Sequence, residues 1–304
     1  MGLFKKKKEA GENEPLPEMM MVQLLFREKP KSASVEEIRA ALEKRLGSLG
    51  EVPYVEPSKE SKSGFVMLPL TKYKVIFEDK PEGMPVAATF MGPMEFSADN
   101  IDEMQRSQFW DVKDGEQLIN SCKWQVAINA MLSSGLHYKE QAELLLAQVG
   151  AALDCYPDCC ALYAFQTGKL TSPERFREGE KAGLTLTHRF IDLFVNARFF
   201  RIQGTENDMV VDTVGFHTFL GSDVQVHFHG LTPDNVVNYV YNIADYQFEN
   251  EFPIKSGETV DSLDENGKIQ REPQWKTQYE NSLIDPLRTV LDINCGQYAA
   301  GNRN

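Results

Sequence analysis

A chain of 304 residues with 42% hydrophobic and 10% aromatic side chains can build one large or two ordinary packed domains, and 25% charged residues is typical of a folded globular protein. A formal net charge of −13 and a sequence pI near 5.0 exclude general affinity for nucleic acid, because phosphate contacts need a sustained basic face. No apolar run approaches the ~20 residues of a membrane helix, so no transmembrane segment is expected and the cytoplasm is the expected location.

The opening MGLFKKKKEA has lysines with no apolar stretch behind them, so it is not a signal peptide. Position 6 is Lys6 rather than Ser or Thr, which also argues against N-myristoylation. Residues 1–17 read as a disordered basic and polar leader. Five cysteines, Cys122, Cys155, Cys159, Cys160 and Cys295, make an odd count and favour free thiols in a reducing compartment. The spacing of Cys155, Cys159 and Cys160 is not that of a zinc site, since no C-x-x-C pair and no second pair is present.

A first strand is expected at 19–26. Ser34 followed by Glu37 forms a capping box, and Val35, Ile38, Ala41, Leu42 and Leu46 recur at helical spacing until Gly47. Extended pieces follow at 52–55, 64–68, 73–77 and 86–90, separated by glycine and proline. A long helical pattern is read from 115 to 131, with Leu118, Ile119, Cys122 and Val126 on one side. Trp110 and Trp124 are taken as core. A second helix over 138–153 buries Ala142, Leu145, Leu146, Val149 and Leu153.

The second half repeats this grammar. Residues 160–165 read as a strand, Ser172-Pro173-Glu174 starts a helix, and 190–194 extends that helical region. Strands follow at 197–202, 209–214 and 223–229. Thr232 is expected to cap a helix opening at Pro233, at a cost of about 1 kcal/mol if replaced by alanine. Val236, Val237, Val240, Tyr241, Ala244 and Phe248 form its apolar face, while Asn235, Asn238, Tyr239 and Asn242 line a mixed face of the kind found at protein interfaces. Asn266-Gly267 signals a hairpin turn, and 287–293 a last strand. The fold expected is α+β, with two similar β-α-β-β-β-α-like halves over 18–155 and 156–296 whose antiparallel sheets are covered by helices. Residues 297–304 are expected to fray.

The order VDTVGF, VQVHFHGLTPDNVVNYVYNIADY and PIKSGETV resembles an uncharacterised bacterial family catalogued as a domain of unknown function, number 4261 in that series. The likeness is closest over 208–260. It implies no activity and carries over no catalytic or binding residue.

Two features are candidate chemistry. His227 and His229 stand two apart on an expected strand, so both leave one face, which is expected to be wet; His217 and Asp212 lie near enough in sequence to complete a divalent metal site. Between Gln203 and Gly267, twelve Asp or Glu face a single basic residue, Lys255, so this window holds −11 of the charge. Such a field attracts a protein or small ligand of cationic character. No nucleophile elbow, zinc-protease motif, P-loop or dinucleotide fingerprint is present. The expectation is a non-catalytic, cytosolic binding or protein-interaction module without a cofactor. The alternative is a metal-binding protein or metal-dependent hydrolase using His227 and His229.

Overall fold

The computed structural model describes residues 19–50, 64–219 and 221–301; the expected leader over 1–17 and the extended piece at 52–55 lie outside them. The fold is α+β. The first sheet contains β1 (Val22–Phe26), β2 (Phe65–Phe77), β3 (Lys80–Glu95), β4 (Trp124–Met131), β5 (Ala161–Ala164) and β6 (Lys169–Thr171). Their spatial order is β2-β3-β4-β1-β5-β6, antiparallel throughout. Its helices are α1 (Val35–Leu46), the short α2 (Glu103–Arg106) and α3 (Gly115–Ser121), and α4 (Tyr138–Cys155).

The capping box of α1 forms as read: Ser34 Oγ accepts from the Glu37 amide at 3.2 Å, and the Ser34 amide donates to Glu37 Oε2 at 2.7 Å. The helix expected over 115–131 does not form. It stops at Ser121, and the chain turns extended at Cys122 to enter β4. Val126, Ile128 and Ala130 alternate into the core from a strand held between β3 and β1, so sheet pairing overrides the helical spacing of the same apolar residues. Trp110 is 59% exposed rather than core, and Trp124 is half-buried at the start of β4.

α5 (Pro173–Lys181) and α6 (Leu186–Phe194) lead into the second sheet. It holds β7 (Asn196–Arg201), β8 (Met209–Val214), β9 (Asp223–Phe228), β10 (Thr259–Leu263), β11 (Ile269–Asn281) and β12 (Thr289–Asn294), in the order β10-β11-β12-β9-β8-β7. The long helix α7 (Pro233–Glu249) links β9 to β10. The boundary expected at 155/156 falls inside the first sheet, because β5 pairs with β1 through Leu25↔Ala161 and Leu24↔Leu162. The two sheets share a layout: a three-stranded meander, a central strand, then a hairpin. Yet β4 runs antiparallel to β1 whereas β12 runs parallel to β9, so the meander is inverted between them. A tandem copy would have kept one direction.

The longer helices α1, α4, α6 and α7 lie between the sheets, whereas the segment carrying α2 and α3 packs with a second apolar cluster on the outer face of the first sheet. α1 and α4 cover the first sheet, α7 covers β7, β8 and β9, and α6 packs between α4 and α7. One apolar core runs through all of them. At its centre Phe248 stacks on Phe190 at 5.1 Å and 10°, and meets Tyr138 of α4 edge-on at 4.8 Å. The Tyr138 hydroxyl donates to the Phe248 carbonyl at 2.7 Å, which ties the two layers together. The chain end is also held rather than frayed through residue 301: Ala299 bridges Phe228, and the Ala300 amide donates to the His227 carbonyl at 3.1 Å.

Candidate functional site

α7 is amphipathic in a way that leaves one flank over. Val236, Val240, Ala244 and Phe248 are buried against the second sheet, so Asn242, Ile243 and Tyr246 face sideways. Past the helix, Glu251 and Phe252 take left-handed conformations, φ +63° and +53°, that non-glycine residues rarely adopt. They are held by the Phe252 amide donating to the Gln247 carbonyl at 2.7 Å and by the Phe252 ring packing edge-on to Phe216 at 5.3 Å. This turn sends the chain back along the helix as PIKSGETV.

That motif is a built turn. Glu258 Oε2 accepts from the Lys255 amide at 2.8 Å, and Gly257, at φ +90°, lets its own amide donate to the Thr277 carbonyl at 2.7 Å. Thr277 Oγ1 donates toward the carbonyls of Lys255 and Glu258 at 3.1 Å, strapping the turn to β11. β10 then starts at Thr259 as the edge of the sheet. Because Glu258 O accepts from Thr277 N at 2.9 Å, antiparallel alternation points the N–H and C=O of Thr259 outward, away from β11.

Between α7 and this edge lies a groove of about 870 Å³. Tyr239, Asn242, Ile243 and Tyr246 form one wall; Pro253, Ile254, Gly257 to Asp261 and Ile269 form the other. Tyr239 fixes its depth: the hydroxyl donates to the Asp261 carbonyl at 2.6 Å and the ring meets Trp275 edge-on at 5.4 Å. Burial, helped by the charge of Asp261, pushes that hydroxyl far above the usual phenol range, so it stays protonated as a donor. Tyr246 is 52% and Ile269 51% exposed at the groove mouth. The lining holds two carboxylates, Glu258 and Asp261, and no cationic side chain.

Residues 212–294 match the family model described as a domain of unknown function (DUF4261). The DUF4261 match takes in the end of β8, then β9, α7, β10, β11 and the whole of β12, and every residue lining the groove falls inside it. The first sheet and β7 lie outside it. No curated protein and no solved structure matches the chain.

The three candidate histidines are not brought together. His217 Nδ1 lies 3.1 Å from Asp223 Oδ2, at the entry to β9. His227 is four residues further along that strand, about 13 Å away at the usual rise. Its ring lies against Gly301 of the chain end. His229 falls just past β9, its Nδ1 4.0 Å from Asp208 Oδ1, beside a separate cavity of about 510 Å³. Among the described residues no group of three or more His, Cys, Asp or Glu is placed to hold a metal ion.

The histidine-bearing face of β9 is wet only at its end, where His227 and His229 are half-buried. It carries Asp223, Gln225 and His227, and the first two are wholly buried. Neighbouring strands add Arg198 from β7, Asp212 from β8 and Asp292 from β12, and Arg288 arrives from the segment that folds over this face. Arg198 grips Asp212 with two bonds at 2.9 and 2.6 Å; Arg288 bonds Asp212 at 2.7 Å and Asp223 at 3.0 Å. Burial pushes the Asp223 carboxyl up, but His217, Arg288 and the Phe216 amide outweigh it and hold it below the usual carboxylate range.

The acidic window is therefore not one patch. Asp212 and Asp223 belong to this buried network, Asp245 faces His188 at 3.7 Å, Glu249 faces Lys139 at 3.9 Å, and Asp264 caps the β10–β11 turn through the amides of Asn266 and Lys268. Glu258 and Asp261 remain at the groove. Sequence reading reached Tyr239 and Asn242 as interface residues but missed Tyr246, Ile254 and Ile269. The signal for Tyr246 and Ile254 was the resemblance itself, whose YNIADY and PIKSGETV segments supply parts of both walls; nothing in the sequence singled out Ile269.

Proposed function

We propose that this chain is a non-catalytic binding module and that its ligand, an extended peptide carrying basic side chains, lies in the groove along β10. The observation that carries this reading is the pairing of an outward-facing edge strand with exposed Tyr246 and Ile269 over a lining that has carboxylates and no cation. An added strand gains main-chain hydrogen bonds from the edge and side-chain contacts with the apolar mouth. Glu258 and Asp261 select for lysine or arginine on the side chains that face the helix.

The opposite edge of this sheet is already occupied. The Gln108 side chain takes the Phe199 amide at 2.9 Å and donates to its carbonyl at 3.3 Å, so β7 is capped by the chain's own amide group. β10 is thus the edge left for a partner.

Display selection with random-sequence peptides tests this, run against wild type and against a Tyr246→Ala, Ile269→Asp double variant. Wild type should enrich sequences that alternate apolar residues with Lys or Arg, and Tyr246→Ala alone should weaken the best of them about tenfold, or about 1.4 kcal/mol. Peptides that bind the double variant as tightly as wild type, or no enrichment at all, would overturn the reading.

A further inference from the structure

Strand order in the first sheet brings two distant cysteines together. β4 and β5 lie on either side of β1, with Trp124 opposite Phe26 and Ala161 opposite Leu25. Cys122 ends α3 just before β4, and Cys160 immediately precedes β5. They meet across the end of β1 with their sulfurs 3.5 Å apart, both reduced. Cys122 is buried and Cys160 half-buried; the exposed Arg27, close enough to act on Cys160 by charge, donates its Nε to Ser121 Oγ at 3.2 Å.

We propose that Cys122 and Cys160 are an oxidation-responsive thiol pair, in which Cys160 reacts with a hydroperoxide and Cys122 resolves the product as a disulfide. The contact with the Cys122 sulfur and, against burial, the Arg27 cation hold the Cys160 thiol down to about 7. The same contact and burial push the Cys122 thiol up, so Cys160 is the more readily ionised of the pair. The other two thiols of this region shift the opposite way: burial pushes Cys155 up to about 11 and Cys159 higher still.

In the first step the Cys160 thiolate attacks one peroxide oxygen, the O–O bond breaks, and hydroxide leaves, giving a sulfenic acid. In the second, the sulfur of Cys122 attacks the Cys160 sulfur, the S–O bond breaks, and the departing hydroxide takes the Cys122 proton as water. The two thiols lose two electrons and the peroxide gains them. The sulfurs must close by about 1.5 Å to reach disulfide length, which side-chain rotation supplies. A dithiol reductant reverses the change by exchange.

The test uses the full chain. Brief labelling with a maleimide at pH 7 should modify Cys160 roughly tenfold or more faster than Cys155. Hydrogen peroxide at one equivalent should then remove two hydrogen atoms from the intact mass, restored by dithiothreitol, and fragmentation of the digested protein should join Cys122 to Cys160. Cys159→Ser should keep that link. Cys122→Ser should leave a sulfenic acid on Cys160 that dimedone captures. Equal labelling of Cys155 and Cys160, or peroxide-treated wild type with no link between Cys122 and Cys160, would overturn the proposal whether or not any variant folds.

Discussion

On the outer face of the first sheet, Leu25, Ala161, Tyr163 and Leu170 pack against Ile101, Phe109 and Ile119 of the segment that carries α2 and α3. On the outer face of the second, the equivalent layer is Asp212, Asp223, Gln225 and Asp292 with Arg198 and Arg288. Both faces are buried, and both lie beneath an irregular covering segment. The difference is in how that cover is held. The first is held mainly by apolar contact, with the ion pairs of Asp111 to Lys169 at 3.2 Å and to Arg175 at 2.6 Å as its charged ties. The second is pinned by guanidinium bonds of fixed direction: Arg198 donates to the Asp285 carbonyl at 2.8 Å, and Arg288 to Ile284 and Pro286 at 3.1 and 2.9 Å. The second sheet thus gains a rigid, specified back, and the groove lies at its other end, at the β10 edge.

Two substitutions and a change of pH separate the two faces, and a pair of helix caps gives the smallest contrast. The largest effect is expected at Asp212→Ala, which removes the carboxylate shared by two buried guanidinium groups, the only one among the described residues paired with Arg198, and should cost about 3–5 kcal/mol in chemical denaturation. A loss below about 1 kcal/mol would mean that the network contributes little to holding this face. Leu25→Ala, its counterpart in the first sheet, removes fully buried apolar volume and should cost about 3 kcal/mol. Raised salt should leave that loss unchanged.

Acid should act on the buried network of the second sheet through Asp223. The Asp223 carboxyl is depressed in the folded state, so its contribution is complete above the unfolded value of about 3.9 and is lost as pH falls through the lower native value. Denaturation midpoints taken downward from pH 6 should fall more steeply below about pH 4 in wild type than in Asp223→Asn. Parallel curves would remove Asp223 as the cause.

The smallest effect compares two helix starts. Ser34→Ala should cost about 1 kcal/mol, because Ser34 Oγ accepts the Glu37 amide. Thr232→Ala should change stability by less than about 0.5 kcal/mol, because Thr232 occupies the cap position of α7 with no side-chain hydrogen bond. A larger loss at Thr232 would show that its hydroxyl caps α7 in solution.

These contrasts also mark what was legible in the chain. Local signals worked where one interaction decides the outcome: the Ser34 capping box, Pro233 at the first turn of α7, and the Asn266-Gly267 turn, where Gly267 at φ +79° also leaves room for Asn235. Period-2 alternation correctly sent Val224, Val226 and Phe228 to the core. It could not say whether the other face met water or charge, because Asp223 and Gln225 suit both. The helix read through 115–131 failed for the same kind of reason: Val126 fits either period, and only β1 and β3 on its flanks decide. The groove was half legible. Its helix wall stood out as Tyr239 and Asn242, whereas its strand wall needed the sheet order to reveal β10 as an edge.

The central claim is strand addition at β10. Hydrogen exchange of the whole chain, with and without the best peptide from the display selection, measures it most directly. The account predicts slowed exchange confined to Gly257 to Asp261 and the adjoining flank of α7, with the Thr259 amide among the protected sites and the first sheet unchanged. Protection centred instead on the cavity beside Asp208 and His229, or on the first sheet, with β10 exchanging as before, would contradict it.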